Sequence, residues 1–133
     1  MQEPSLYHRL GGYDKIAGII DDLFALLFTD VRLARFATGR SIDSNRRVRQ
    51  LVLDQVCSLS GGPCYYTGRD MKTSHAGLAI TESEWTTSLE LTREALHKNG
   101  VAGGDLTEFL SLFERYRDDI VEDGGRPDDA VNR

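Results

Sequence analysis

Histidine is scarce in this chain of 133 residues, which carries only His8, His75 and His97. Cysteine is scarcer. Cys57 and Cys64 make no C-x-x-C pair, and nothing else at zinc-ligand spacing joins them. A chain of this length needs no disulfide or metal staple, and the pair is expected as free thiols in a cytoplasmic protein. Apolar runs are short. None approaches the ~20 residues of a spanning helix, and the opening MQEPSLYHRLGG lacks the basic-then-apolar order of a secretory signal. Positive charge is in deficit, with 16 Lys and Arg against 21 Asp and Glu, a formal net charge of −5. That balance argues against a nucleic-acid partner and, with the apolar runs, against a membrane one. Arg46-Arg47-Val48-Arg49 is the local exception. His75 has no H-x-x-x-H or H-x-x-E-H partner, which disfavours zinc. The absence of G-x-S-x-G leaves a serine triad weakly supported.

What the chain does contain is helical periodicity. Its length and its 40% hydrophobic content suit one domain with a real core. After Gly11-Gly12, the residues Ile16, Ile19, Ile20, Leu23, Phe24 and Leu27 recur at helical spacing, with Asp14 as the expected N-cap. A short apolar group, Leu33, Ala34, Phe36 and Ala37, ends at Thr38-Gly39. A second helix is expected from about Asn45 to Leu59, with Val48, Leu51, Val52, Gln55, Val56 and Leu59 on one side, stopped by Ser60-Gly61-Gly62-Pro63. Thr81-Glu82-Ser83-Glu84 reads as a capping box opening a third helix through Trp85, Leu89, Leu91, Ala95 and Leu96 to Asn99-Gly100. Gly103-Gly104-Asp105 opens the last, with Leu106, Phe109, Leu110, Leu112, Phe113 and Tyr116 facing inward. The polar run from Glu122 onward reads as a tail. The expectation is all-α, four substantial helices with a long loop between the second and third.

That loop, GGPCYYTGRDMKTSHAGLAIT, holds one helical turn at Met71 to His75. Long ordered loops in small domains are usually functional. A lone imidazole suits a proximal haem ligand, a general base or one member of a metal set. His97, near a helix C-terminus, suits the dipole there, and His8 reads as structural. Phe24, Phe36, Val52, Val56, Ile80, Trp85 and Phe113 can line an apolar pocket around His75, and they are equally what an ordinary core would use. Tyr66, Thr67, Arg69 and Lys72 flank His75 and suit the propionate rim of a haem, or simply solvent.

LYHRLGG, LFALLFTDVRLARF, GGPCYYTGRDMKTSHAGLAIT and the Trp-bearing helix that follows resemble the group I truncated haemoglobins, from Leu6 to about Val121. The resemblance implies a truncated globin, a two-over-two helical sandwich around one haem b. The whole chain is then a single globin domain with its core at residues 5–121 and a tail at 122–133. It implies His75 as the proximal iron ligand and Met71 packed on the proximal haem face. Lys72 would reach a propionate, Tyr66, Thr67 and Arg69 would support the haem edge, and Ile80 and Trp85 would make apolar contacts. Trp85 stands where the family usually has Phe. Phe36-Ala37 stands where it has Phe-Phe.

The distal side departs from the family pattern. Phe24 replaces a common Tyr donor, and Val48 and Val52 take the positions of ligand-facing Gln residues. Leu51 stands where some relatives carry a sixth-ligand His. Gln50 and Gln55 lie one or two places off the aligned positions; a small helix rotation would bring Gln55 inward, and otherwise it sits at the core edge or in solvent. The implied function is a haem protein that binds oxygen, carbon monoxide and nitric oxide, or transports oxygen, with an unusually apolar distal pocket. The competing readings are a gas sensor acting through a separate partner, and a nitric-oxide dioxygenase or peroxidase-like enzyme served by a reductase.

Overall fold

The computed structural model describes residues 4–36 and 41–122. Ala37, Thr38, Gly39 and the tail at 123–133 lie outside the described residues. Ser5 caps α1 (Leu6–Leu10) through its hydroxyl, which accepts from the His8 N–H. Gly11 and Gly12 follow at φ +107° and +90°, the left-handed region that glycine reaches without a Cβ clash, and they turn the chain into α2 (Tyr13–Thr29). Asp14 is therefore not the N-cap. The helix begins one residue earlier, at Tyr13, and Asp14 sits in its first turn, favourable to the dipole without capping it. Val31–Phe36 is a 3-10 turn that buries Leu33.

α3 runs Ile42–Leu59, three residues longer at its start than periodicity suggests, because Ser41 caps it by accepting from the Ser44 N–H at 3.0 Å. Ile42 itself is exposed, so the apolar pattern gave no sign of that first turn. α4 is the single turn Met71–His75, capped by Asp70. α5 (Glu82–Lys98) opens on the expected capping box, Thr81 and Glu84 satisfying each other's backbone N–H. α6 (Gly103–Glu114) follows, and a further short helix, α7 (Arg117–Ile120), completes the described chain.

Two helix pairs, α2 with α3 and α5 with α6, stack chiefly through α2 against α5, while α1 leans on α6 and α4 on α7. Ile16, Ile19, Ile20, Leu53, Val56, Leu96 and Phe109 are wholly enclosed between them. Burial of each such side chain is worth ~1.5–3 kcal/mol. Among the described residues there is no strand, only an isolated parallel bridge from Ile80 to Val121. No helix of the described residues is long and apolar enough to cross a membrane.

The two cysteines are not free. Cys57, in the last turn of α3, and Cys64 are bridged, with their Cα atoms 5.8 Å apart. The turn at Gly61-Gly62 sends the chain back past α3. A Cβ on Gly62 would collide with the Tyr7 ring and come within 2.7 Å of the Cys57 sulfur, so this close approach demands glycine. Spacing alone could not reveal the pairing, because only the turn brings the sulfurs together. A closed loop of this length removes unfolded-chain entropy worth about 2 kcal/mol. Cys64→Ser is expected to lower the unfolding free energy by about that amount, read as a lower denaturant midpoint.

Candidate functional site

A cavity of about 590 Å³ opens between α2, α3, α4, α5 and the 3-10 turn. That lies within the ~300–1,000 Å³ usual for ligand and cofactor sites. Of the residues proposed from sequence, Phe24, Phe36, Val48, Val52, Met71, His75, Ile80, Trp85 and Phe113 line it. Val56 does not. It is fully buried in the main core, turned by about 100° from Gln55 on α3. Tyr66, Thr67 and Arg69 do not line it either. They border a second depression with Arg47, Leu51 and Ser74. The Tyr66 hydroxyl donates to the Arg69 carbonyl, which curls this stretch on itself, and burial pushes the Tyr66 phenol above its ordinary pKa. Lys72 points to solvent from α4 and lines neither.

His75 is half-buried, on the last residue of α4. Its Nδ1 lies 2.9 Å from the Met71 carbonyl oxygen and 3.0 Å from the Ser74 hydroxyl. A carbonyl only accepts, so Nδ1 carries the proton and donates. In the neutral ring the lone pair is then on Nε2, the nitrogen open to a metal. This is the arrangement by which proteins orient a ligating imidazole and raise its basicity. One helical turn suffices to build it, because Met71 and His75 are four residues apart. Asp70 holds that turn by accepting from the Thr73 N–H at 2.7 Å, and the hydrogen bonds from Thr73 keep its carboxyl below the ordinary carboxylate range. His8 is exposed and pairs with Ser5, and His97 is exposed in the last turn of α5. Among the described residues no cluster of His, Cys, Asp and Glu could hold a bare metal ion. A single imidazole on a large, mostly apolar cavity fits a prosthetic group that brings its own equatorial ligands.

Gln55 is the correction on the other wall. It is 9% exposed, lines the cavity, and its amide donates to the Met71 sulfur at 3.5 Å. Three residues beyond Val52, it shares the inward face without any helix rotation. Ser88, Thr92 and Tyr116 add hydroxyls to the lining, so the cavity is apolar in the main and not throughout. Gln50 stays outside, bonded to Tyr13 and Asp54. Arg35 and Glu84 also line the cavity; the sequence marks Glu84 only as a helix cap and gives no sign of Arg35. They pair at 2.7 Å, and the Arg35 guanidinium holds the Glu84 carboxyl below its usual pKa.

The family model described as bacterial-like globin matches residues 5–122. The group 1 truncated hemoglobin GlbN of Nostoc sp. (strain MUN 8820) is 30% identical over 88% of this chain and 97% of its own. That of Mycolicibacterium paratuberculosis is 27% identical over 88% of this chain and 84% of its own. The structure of the Tetrahymena pyriformis truncated hemoglobin, Fe(III) form, superposes with TM-score 0.80 at 22% identity, covering 89% of this chain and 98% of that one. The 2/2 hemoglobin of Synechococcus sp. PCC 7002 gives 0.79 at 20% identity, over 89% and 98%. With its fold, its cavity and its oriented histidine, this chain belongs to the bacterial-like globins, and among them to the haem-binding truncated haemoglobins of group I.

Proposed function

We propose that the chain holds haem b through His75 and binds diatomic gases on the side of the cavity built by α2 and α3. The observation that carries this reading is the His75 ring, with Nδ1 committed to the Met71 carbonyl and the other nitrogen left for iron. When bound, haem supplies an iron site for small gases such as oxygen, carbon monoxide and nitric oxide. Met71, Ile80, Phe36 and Trp85 would pack on its faces, and Phe24, Val48 and Val52 would keep water from the gas side. None of Lys72, Arg69, Thr67 and Tyr66 lines the cavity, so a propionate contact from any of them would need side-chain movement. A separate reductase would be the partner that keeps the iron ferrous. Action in the cytoplasm requires the Cys57–Cys64 bridge to persist among reducing thiols, which the full burial of Cys57 favours.

One observation favours a second reading, nitric-oxide dioxygenation, which needs dioxygen to be retained. The buried Gln55 amide is a donor within the cavity.

The test is the absorption spectrum of the dithionite-reduced protein. A strong Soret band with one broad visible band is expected, the signature of a single histidine ligand. Split, sharp visible bands would mean a second protein ligand. No Soret band after haem addition would end the haem reading.

A further inference from the structure

α4, which carries His75, is five residues long, and none of them is buried. The turn orients the ring within itself but has no buried side chain of its own to anchor it to the core. The chain that leaves it, Ala76 to Ile80, is held instead from both sides by ionised groups brought from remote segments.

On the amide side, the Glu122 carboxylate accepts from the Gly77 N–H at 3.2 Å and the Ala79 N–H at 2.6 Å. The Glu122 N–H in turn donates to the Ile80 carbonyl at 2.9 Å. On the carbonyl side, Arg35 donates to the Leu78 and Ala79 oxygens, each at 3.0 Å. The same guanidinium grips Glu84 at 2.9 and 2.7 Å, and Glu84 caps α5. The Leu78 N–H closes the circuit onto the His75 carbonyl at 3.2 Å. Ala79 sits at φ +54°, a left-handed conformation that a residue with a Cβ keeps only when its surroundings impose it.

Water would satisfy these groups in an ordinary surface loop. Charge-assisted bonds are about twice as strong as neutral ones, and here two side chains more than forty residues away in sequence supply four of them. α7, which packs on α4, leads directly to Glu122, so the helix and the loop after it share one support.

We propose that Arg35 and Glu122 are positioning residues that set the placement of His75 in the cavity by fixing Gly77 to Ala79 between a cation and an anion. The proposal rests on the haem reading.

The experiment uses the full chain reconstituted with haem. It compares the wild type with Glu122→Gln, Glu122→Ala, Arg35→Lys and a control, Arg9→Met. The control breaks the Arg9 pairs with Asp105 and Glu108, which join α1 to α6 away from the loop. The readouts are the iron–histidine stretching band of the ferrous protein by resonance Raman, carbon monoxide association, and exchange of the Gly77 and Ala79 amides. The loop variants are expected to shift the band, change the association rate about threefold or more and speed exchange of both amides. Arg9→Met is expected to lower stability and leave all three unchanged. Glu122→Gln and Arg35→Lys keep the comparison intact if Glu122→Ala does not fold. A wild-type band that the loop variants leave unmoved overturns the positioning role while the haem reading stands. No iron–histidine band in the wild type overturns both.

Discussion

His75→Ala is expected to abolish stable haem retention. The cavity would keep its walls, because His75 lies at the end of a one-turn helix and supports no core residue. What is lost is the one oriented nitrogen. Losing an outer-shell partner of a metal ligand costs ~10–100-fold in affinity, and losing the ligand itself should cost more. The measurement is haem transfer to an acceptor protein, followed at the Soret band. The variant should release haem far faster than the wild type while its far-ultraviolet circular dichroism stays helical. Free imidazole diffusing into the vacated space should restore part of the absorption. A variant that keeps haem as tightly as the wild type would place the iron ligand elsewhere. His8 and His97 are exposed and line neither the cavity nor the second depression, so they make poor substitutes.

Phe24→Tyr is expected to slow dioxygen release by about tenfold to a hundredfold. Phe24 lines the cavity from α2 and offers no donor. Dioxygen taken up by ferrous iron draws negative charge toward itself, and a hydrogen bond to a charged acceptor is worth ~1.5–3 kcal/mol. Each 1.4 kcal/mol is about a factor of ten. Carbon monoxide, less polar, should respond weakly to the same change, so the ratio of the two effects separates hydrogen bonding from a mere change in shape. Stopped-flow displacement of dioxygen by carbon monoxide measures it. Gln55 complicates the outcome in an informative way. Its amide already lies in the cavity, resting on the Met71 sulfur. A thioether is a weak acceptor, so little holds the amide there. If Phe24→Tyr fails to slow release, Gln55 is the donor to remove next, and Gln55→Leu should then speed release in the otherwise unaltered protein.

The helices were legible in the sequence because their cause is local. Apolar residues at helical spacing define α2, α3, α5 and α6, and Thr81 with Glu84 marks the start of α5 before any contact is known. Glycine pairs mark the turns at 11–12 and 61–62, since few other residues tolerate what the chain does there. His75 stands out locally too, as a lone histidine in a long loop of a histidine-poor chain. Weak local signals leave element boundaries undetermined. Ser41 and an exposed Ile42 hid the first turn of α3, and Asp14 was mistaken for a cap that Gly12 displaces.

Tertiary structure decided everything that joins distant residues. Val56 has the composition of a cavity residue and faces the core, whereas Gln55, one place earlier, has the composition of a surface residue and faces the cavity. A rotation of ~100° per residue separates them, and only the packing of α3 fixes which side is inside. Cys57 and Cys64 became a bridge only because a turn folds the chain back on α3. Arg35 and Glu122, unremarkable in sequence, meet across the loop after His75. Local sequence can specify a helix, a turn and a histidine poised on them. Which charges converge on the loop after that histidine depends on long-range approach, which no short stretch of the chain encodes.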